Sequence, residues 1–182
     1  MKKYYLILFF IFIITESNAS TKENIIQNLK KINNISFNFE QNINGKIEKG
    51  NCKIQYPKKI HCKYDLKNQK ILVSNGKSLV IKTKRSFYIY PLKKTPLNFI
   101  LDKDFLINKI ENLEERIIDN KFINFNFVKN DNEINIFFDK KNYDLVGWQT
   151  LDIYQNLSIT FLTTIIKNQN FNKSIFYLPN SN

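Results

Sequence analysis

The chain has 182 residues and a formal net charge of +12 at pH 7, from 28 Lys and Arg against 16 Asp and Glu. Apart from the extreme N-terminus no stretch is apolar enough to span a membrane, so we expect one domain with one sizeable core. The lysines are scattered among Asn and Ile and no recognition motif accompanies them, which argues against a nucleic-acid-binding protein.

The N-terminus has the pattern of a secretory signal peptide. Two lysines precede an unbroken apolar run, Tyr4–Ile14, which is too short to cross a bilayer, and small residues ending at Ala19 suit a cleavage site. A retained N-terminal anchor is the alternative. We expect residues 1–19 to be removed and residues 20–182 to form a single exported domain. Because no Cys follows the cleavage site to carry a lipid, this domain is expected to be freely soluble.

The first predicted element of the mature chain is a helix over residues 22–33, where apolar side chains recur at helical spacing. These side chains are Ile25, Ile26, Leu29 and Ile32. From residue 35 the apolar period changes to two, which predicts β-strands. Further strands are expected over residues 46–56, 59–65, 70–74, 77–84 and 86–91. Asn75-Gly76, between two apolar runs, predicts a tight hairpin.

This series of strands is interrupted once, by one or two short helices predicted over residues 96–110. Thr95 is a suitable capping residue, and Pro96 suits the first helical position because its missing N–H costs nothing there. Strands are expected again over residues 114–118, 122–129, 132–138, 143–154, 157–167 and 174–178. From Leu145 onward both strand faces are apolar, so the pattern does not decide which face is buried. The whole pattern predicts a mainly β (α+β) protein in which an antiparallel sheet of eleven or twelve strands curls around helices.

Two cysteines, Cys52 and Cys62, flank a predicted turn at Pro57-Lys58. If the flanking strands pair across this turn, the cysteines lie nearly opposite each other. In an exported protein a small even number of cysteines favours a disulfide. A structural disulfide is therefore predicted, with two buried thiols as the alternative.

The sequence contains little that could support catalysis or metal binding. His61 is the single histidine, is predicted to face outward between Lys59 and Lys63, and has no acid and nucleophile arranged around it. Two Cys ten residues apart with one His lack the clustering of a zinc site. We expect no enzyme, no metal and no cofactor. The 16 Phe and 9 Tyr indicate either a filled core or an apolar hollow, which composition does not separate.

Seven short motifs follow one another along the chain. They are Phe39-Glu40-Gln41, Tyr56-Pro57-Lys58-Lys59, Leu72-Val73-Ser74-Asn75-Gly76-Lys77, Tyr90-Pro91-Leu92, Thr95-Pro96-Leu97, Val146-Gly147-Trp148 and Phe176-Tyr177-Leu178-Pro179. In order and spacing they resemble the LolA family, the outer-membrane lipoprotein carrier proteins. The resemblance covers nearly the whole mature chain.

The resemblance implies an incomplete, strongly curved antiparallel β-barrel of about eleven strands under a lid of short α-helices. Such carriers take acylated lipoproteins from an inner-membrane, ATP-driven release complex and deliver them to the outer membrane without catalysis or cofactor. For this chain it implies a periplasmic lipoprotein chaperone, expected to be a monomer, whose outer-membrane acceptor the sequence does not identify. Two alternatives share the fold: a general lipid or glycolipid carrier, and an envelope-stress sensor of lipoproteins.

Strand parity and the resemblance together place the ligand site. The acyl-chain cup is predicted at Phe37, Phe39, Ile54, Tyr56, Ile60, Tyr64, Val73, Leu79 and Ile81. The lid is predicted at Ile25, Leu29, Leu97, Ile100 and Leu101. At the position of Tyr56 the family usually has an Arg that hydrogen-bonds the lid backbone. A phenol offers one donor where a guanidinium offers five, so our hypothesis is that Tyr56 packs into the cup and gives the lid one hydrogen bond.

Overall fold

The computed structural model describes residues 20–152 and 154–181. In this part of the chain one sheet of eleven strands is present, and all its neighbouring strands are antiparallel. The strands are β1 (Asn34–Ile43), β2 (Lys46–Gln55), β3 (Lys59–Tyr64), β4 (Ile71–Asn75), β5 (Ser78–Lys82), β6 (Phe87–Pro91), β7 (Arg116–Ile118), β8 (Phe122–Lys129), β9 (Asn132–Asp139), β10 (Leu145–Leu151) and β11 (Leu157–Lys167). The predicted signal peptide lies outside the described residues.

The order of strands across the sheet is β6-β5-β4-β3-β2-β1-β11-β10-β9-β8-β7. The first and last strands of the chain, β1 and β11, therefore pair at the centre, while β6 and β7 remain as edges. The sheet does not close on itself, which confirms the prediction of an incomplete antiparallel barrel.

Within residues 20–152 and 154–181, three α-helices cover one end of the inner face: α1 (Thr21–Lys31), α2 (Leu97–Ile100) and α3 (Lys103–Asn112). In α1, the Ser20 hydroxyl accepts a hydrogen bond from the backbone N–H of Glu23 at 3.2 Å, which satisfies one of the unpaired donors at the helix start. Its buried residues are Ile25, Ile26 and Leu29, as the helical spacing predicted. Within the described residues no helix has the length and apolar character needed to cross a membrane.

The helices are joined to one another as well as to the sheet. The Lys103 ammonium group on α3 donates a hydrogen bond to the carbonyl oxygen of Ile32, just after α1, at 2.8 Å. This contact places a cation at the carbonyl end of α1, where the helix dipole favours positive charge. The two helices thus form one layer over the sheet.

The predicted strand over residues 174–178 is wrong. The segment Lys173–Phe176 is a short 3₁₀ helix, and the Asn172 side chain accepts a hydrogen bond from the backbone N–H of Ser174 at 3.0 Å. It packs across the outer face of β3 and β4 and buries Phe176 to 2% exposure. The buried Phe176 side chain thus anchors this end of the chain, and the segment does not pair with a strand.

Candidate ligand cavity

A cavity of about 340 Å³ lies inside the curved sheet, between the inner faces of β1 to β5, β10 and β11 and the segment Thr95–Leu97. Its apolar wall includes Phe39, Ile60, Leu72, Leu79, Ile81, Leu97 and Trp148. None of its lining residues belongs to α1, α3 or β7 to β9. The volume falls within the roughly 300–1,000 Å³ range of small-molecule pockets.

The predicted cup residues fall into three groups. Those that line the cavity are Phe39, Ile60, Tyr64, Leu79 and Ile81. Those that pack in the adjoining core are Phe37, Ile54 and Tyr56. The remaining residue, Val73, lies on the opposite face of the sheet.

The prediction that Val73 belongs to the cup is wrong, as the register of the strands shows. Val73 pairs with His61 and Val80, whereas its neighbour Leu72 pairs with Cys62 and lines the cavity. Directly opposed residues share a face, so Leu72 points inward and Val73 outward. Val73 is nevertheless buried, because the 3₁₀ helix that carries Phe176 covers this part of the outer face. Both faces of β4 are buried, and the sequence pattern therefore did not show which of its residues point inward.

The predicted lid residues are all in contact with the core. Only Leu97 lines the cavity, and Ile25, Leu29, Ile100 and Leu101 are at most 1% exposed in the packed core beneath the helices. In the closed structure these four therefore separate the core from solvent, and Thr95–Leu97 forms the part of the lid that meets the hollow.

The lid is tied to the β2–β3 turn through Lys58. The backbone N–H of Lys58 donates a hydrogen bond to the carbonyl oxygen of Leu101 at 2.8 Å. Its ammonium group lies 3.0 Å from the Asp102 carboxylate, which also caps α3 by accepting from the backbone N–H of Phe105. Two contacts from one residue thus hold the junction of α2 and α3.

Tyr56 packs against the core, and burial raises the pKa of its phenol. Its backbone N–H donates to the carbonyl oxygen of Asn33 at 3.0 Å. Among the described residues no hydrogen bond joins the Tyr56 hydroxyl to the lid. The bond that our hypothesis gave to Tyr56 is instead made two residues later, by the Lys58 backbone.

Gly50 allows two aromatic rings to meet over the cavity wall. It pairs with Phe39 on one side and Tyr64 on the other, and the two rings lie edge to face with centroids 4.9 Å apart. A Cβ atom on Gly50 would approach the carbonyl oxygen of Lys63 to 2.1 Å and the Phe39 ring to 2.9 Å. Only glycine fits this close approach.

The predicted disulfide between Cys52 and Cys62 is present and forms part of the cavity wall. The two residues are directly opposed on β2 and β3, with Cα atoms 4.1 Å apart. The bridge therefore joins the two strands that carry the turn which holds the lid.

The end of the cavity away from the lid is polar, a feature that the sequence analysis missed. The Glu48 carboxylate is 4% exposed and lies 2.8 Å from the Lys46 ammonium group and 2.6 Å from that of Lys70. Burial alone would raise the pKa of Glu48, but the hydrogen bonds and charges of the two lysines outweigh it and leave this pKa below its ordinary value. The Lys70 ammonium also lies 4.1 Å from the centre of the Tyr64 ring.

A second polar group lies beside this ion cluster. The Gln41 side-chain N–H₂ donates to the hydroxyls of Ser158 at 2.9 Å and Thr160 at 3.1 Å. The Tyr64 hydroxyl donates to the Gln41 side-chain oxygen at 3.3 Å. We call Gln41, Ser158 and Thr160 the polar ladder. The bonds join residues 117 and 119 positions apart in sequence, which is why no local pattern indicated them.

His61 lies on the outer face, opposite Lys53 and Val73. Burial lowers its pKa first, and the charges of Lys63 and Lys53 lower it further. The neighbours of His61 are thus the two lysines and the apolar Val73, which do not form a catalytic arrangement. Among the described residues no three His, Cys, Asp or Glu side chains are grouped as metal ligands.

These features define a class of protein: a lidded antiparallel half-barrel with an apolar internal cavity. The family model for the outer membrane lipoprotein carrier protein LolA matches residues 30–179, and the chain belongs to that family. A comparison with curated protein sequences gave no match.

Solved structures with similar folds are distant in sequence. A LolA superfamily protein from Nitrosomonas europaea is 8% identical, covers 88% of this chain and 99% of its own, with a TM-score of 0.41. A putative outer membrane lipoprotein-sorting protein domain from Vibrio parahaemolyticus is 8% identical (84% and 94% covered, TM-score 0.47), and the Mycobacterium tuberculosis lipoprotein LppX is 11% identical (84% and 96%, TM-score 0.43). Likeness at this level is uninformative about ligands.

Proposed function

We propose that this protein is a periplasmic carrier that binds the acyl chains of lipoproteins released from the inner membrane and conveys them to the outer membrane. The observation that carries the proposal is the apolar cavity beneath a helical lid in a chain of the LolA family. Burial of an acyl chain gains roughly 0.8 kcal/mol per CH₂, about 12 kcal/mol for sixteen carbons. Such a chain therefore needs a sheltered site to cross an aqueous compartment.

The volume of the closed cavity indicates that the lid must move when several acyl chains bind. A protein cavity of about 150 Å³ holds one benzene molecule, so 340 Å³ accommodates part of one acyl chain and not several complete chains. A triacylated lipoprotein then requires the lid helices to move away from the sheet. The polar contacts that would break at the α2–α3 junction are the Lys58–Leu101 hydrogen bond and the Lys58–Asp102 ion pair, and the buried apolar contacts of the helices would separate with them.

The proposal assigns the rest of the chain accordingly. Residues 1–19 direct export and are removed, and residues 20–182 act as a monomeric, single-domain chaperone without enzymatic activity. The partners are acylated lipoproteins, the inner-membrane release complex and an outer-membrane acceptor. The cup consists of the predicted residues without Val73, together with Leu72 and Trp148.

Native mass spectrometry of the protein purified from its own cell envelope tests the cargo. Co-purified triacylated lipoprotein is expected, and depletion of the protein should leave lipoproteins at the inner membrane. Phospholipid or free fatty acid in place of lipoprotein would contradict the proposal and support a general lipid carrier. Normal lipoprotein sorting in depleted cells would also contradict it.

A pair of substitutions tests whether the cavity is the binding site. Ile81→Trp places a large ring inside the cavity, whereas Ile89→Trp adds the same ring on the neighbouring strand at a position that is 56% exposed. We expect Ile81→Trp to lose binding of a synthetic triacylated lipopeptide and Ile89→Trp to retain it. Equal binding by both variants would place the ligand elsewhere.

A further inference from the structure

The inner face of four adjacent strands changes from apolar to polar along the barrel axis. Near the lid the inward residues are apolar: Phe37 and Phe39 on β1, Cys52 and Ile54 on β2, Trp148 on β10 and Leu162 on β11. Toward the other end most of them are polar, namely Gln41, Glu48, Thr150, Ser158 and Thr160, and Ile43 on β1 is an apolar member of the same end. We call this second end the rim.

The rim is a built part of the interior and not a solvated edge. Glu48, Ser158 and Thr160 are 4%, 4% and 3% exposed, and each is hydrogen-bonded or ion-paired. A buried polar group left without a partner costs roughly 1–3 kcal/mol. The polar rim therefore needs its internal bonds, and a purely apolar ligand placed against it would gain nothing from these groups.

The exposed part of the cavity lining also lies at the rim. Lys46 and Tyr154 are exposed, whereas Thr95 and Pro96 at the lid end are buried. The two turns of the rim are joined by hydrogen bonds from Asn44 to the Leu157 carbonyl oxygen at 3.2 Å and to the Asn156 side chain at 2.8 Å. The cavity is thus open to solvent at the rim while the lid is closed.

The polar ladder leaves two donors free for a ligand. A hydroxyl has one O–H donor and two acceptor lone pairs, and the Gln41 side chain occupies a lone pair on Ser158 and on Thr160. In the part of the chain that the structure describes, no acceptor takes either hydroxyl hydrogen. Both hydrogens can therefore be donated to a carbonyl oxygen inside the cavity.

We propose that the cavity holds an acyl ester or amide in one orientation, with the chain's methyl end toward Leu97 and its carbonyl group at Ser158 and Thr160. A single chain enters from the rim with the lid in place, whereas further chains require the lid to move, and the head group remains outside beside Lys46. This proposal rests on the proposed function, because it assumes that the cavity binds an acyl chain. Beyond the proposed function, it states that the site recognises the carbonyl group of the ligand as well as its acyl chain.

The test compares two ligands of equal chain length, monododecanoylglycerol and dodecane, by the fluorescence of Trp148, the single tryptophan, which lines the cavity. The variant Ser158→Ala/Thr160→Val removes both donors. We expect it to bind monododecanoylglycerol about fivefold to tenfold more weakly, as lost hydrogen bonds predict, with dodecane affinity unchanged. Thr163→Val, an exposed position on the outer side of the same strand, is the matched control and should change neither.

Each outcome separates the two proposals. If wild-type protein binds both ligands and the double variant binds monododecanoylglycerol as wild type does, the ladder does not read the carbonyl and this inference is overturned while the carrier function stands. If wild-type protein binds neither ligand, the proposed function fails and this inference fails with it. Unchanged dodecane affinity in the double variant also shows that the fold is intact.

Photo-crosslinking tests the orientation independently. A monoacylglycerol with a diazirine at the chain end should label the lid segment Thr95–Leu97 or Leu79, and mass spectrometry of the digested protein locates the label. Labelling confined to residues 150–158 would show the reverse orientation and overturn the proposal.

Discussion

The two halves of the inner face are built from similar residues but are used differently. Over β8 and β9 the inward side chains are Ile and Phe that pack against helices, with the Phe105 ring of α3 5.7 Å from that of Phe127. We call this the filled half. Over β2 to β5, which we call the hollow half, most inward side chains line the cavity. Hydrophobic composition therefore does not decide between a packed core and a cavity; the distance that the covering helices extend over the sheet decides it.

The largest expected effect comes from a matched pair of Leu→Ala substitutions. Leu106 in α3 is fully buried, and Leu79 on the cavity wall is 2% exposed. Leu106→Ala should lower the free energy of unfolding by about 3–5 kcal/mol, because it opens a new void in a packed region. Leu79→Ala should cost about 2 kcal/mol, because it mainly enlarges an existing hollow. Urea unfolding measures both, and equal losses would mean that the halves are packed alike.

The disulfide gives the next largest effect. Replacing both Cys52 and Cys62 by Ala removes a bridge with a sequence separation of 10. For a loop of this length we expect a loss of roughly 2–3 kcal/mol in unfolding free energy. Because the bridge forms cavity wall, the variant should also bind the lipopeptide differently, as Trp148 fluorescence would report. A variant as stable as wild type would show that the hollow half does not depend on this bond.

The attachment of the lid can be weakened at Asp102. Asp102→Ala removes the cap of α3 and the ion pair with Lys58, and loss of a cap costs about 0.5–2 kcal/mol. Asp102→Asn keeps a capping oxygen and removes the charge, so it is the matched control. We expect faster hydrogen exchange in residues 97–112 for Asp102→Ala and a smaller change for Asp102→Asn. Identical exchange in all three proteins would show that this junction does not limit opening of the lid.

The smallest effect is the dependence of stability on pH at the rim. The pKa of Glu48 is lowered from its ordinary value of 4.5, since the opposing lysines outweigh the cost of burial. A group with a lowered pKa in the folded state stabilises the protein above about pH 4.5 and loses this contribution as the pH falls through the folded-state pKa. Thermal unfolding between pH 6 and pH 3 should therefore show a smaller acid loss in Glu48→Gln than in wild type. Parallel curves would remove Glu48 as a contributor.

Several parts of this structure could be predicted because local physics determines them. The change of apolar period from about 3.6 to 2 near residue 35 separated α1 from the strands, and Thr95-Pro96 marked the helical interruption. The opposed positions of Cys52 and Cys62 followed from one turn. Each of these inferences needs only residues close together in the sequence.

The errors arose where burial depends on distant parts of the chain. Val73 was assigned to the wrong face because the C-terminal segment that covers β4 makes both faces apolar. The same segment was predicted as a strand, although it anchors Phe176 as a 3₁₀ helix. The polar ladder was missed because Gln41 meets Ser158 and Thr160 only when β1 pairs with β11.

The sequence by itself predicted the strands that form the sheet, the short helices and the disulfide, because period, capping and turn chemistry are local, and it added one strand over residues 174–178 that does not form. Only the tertiary structure decided that one half is filled and the other hollow, that Lys58 and not Tyr56 holds the lid, and that the cavity has a polar end. The physical reason is that the cavity exists where the side chains of the covering helices do not extend to the inner face of the sheet. That depends on how far α1 and α3 extend over the sheet, and no residue on the cavity wall encodes it.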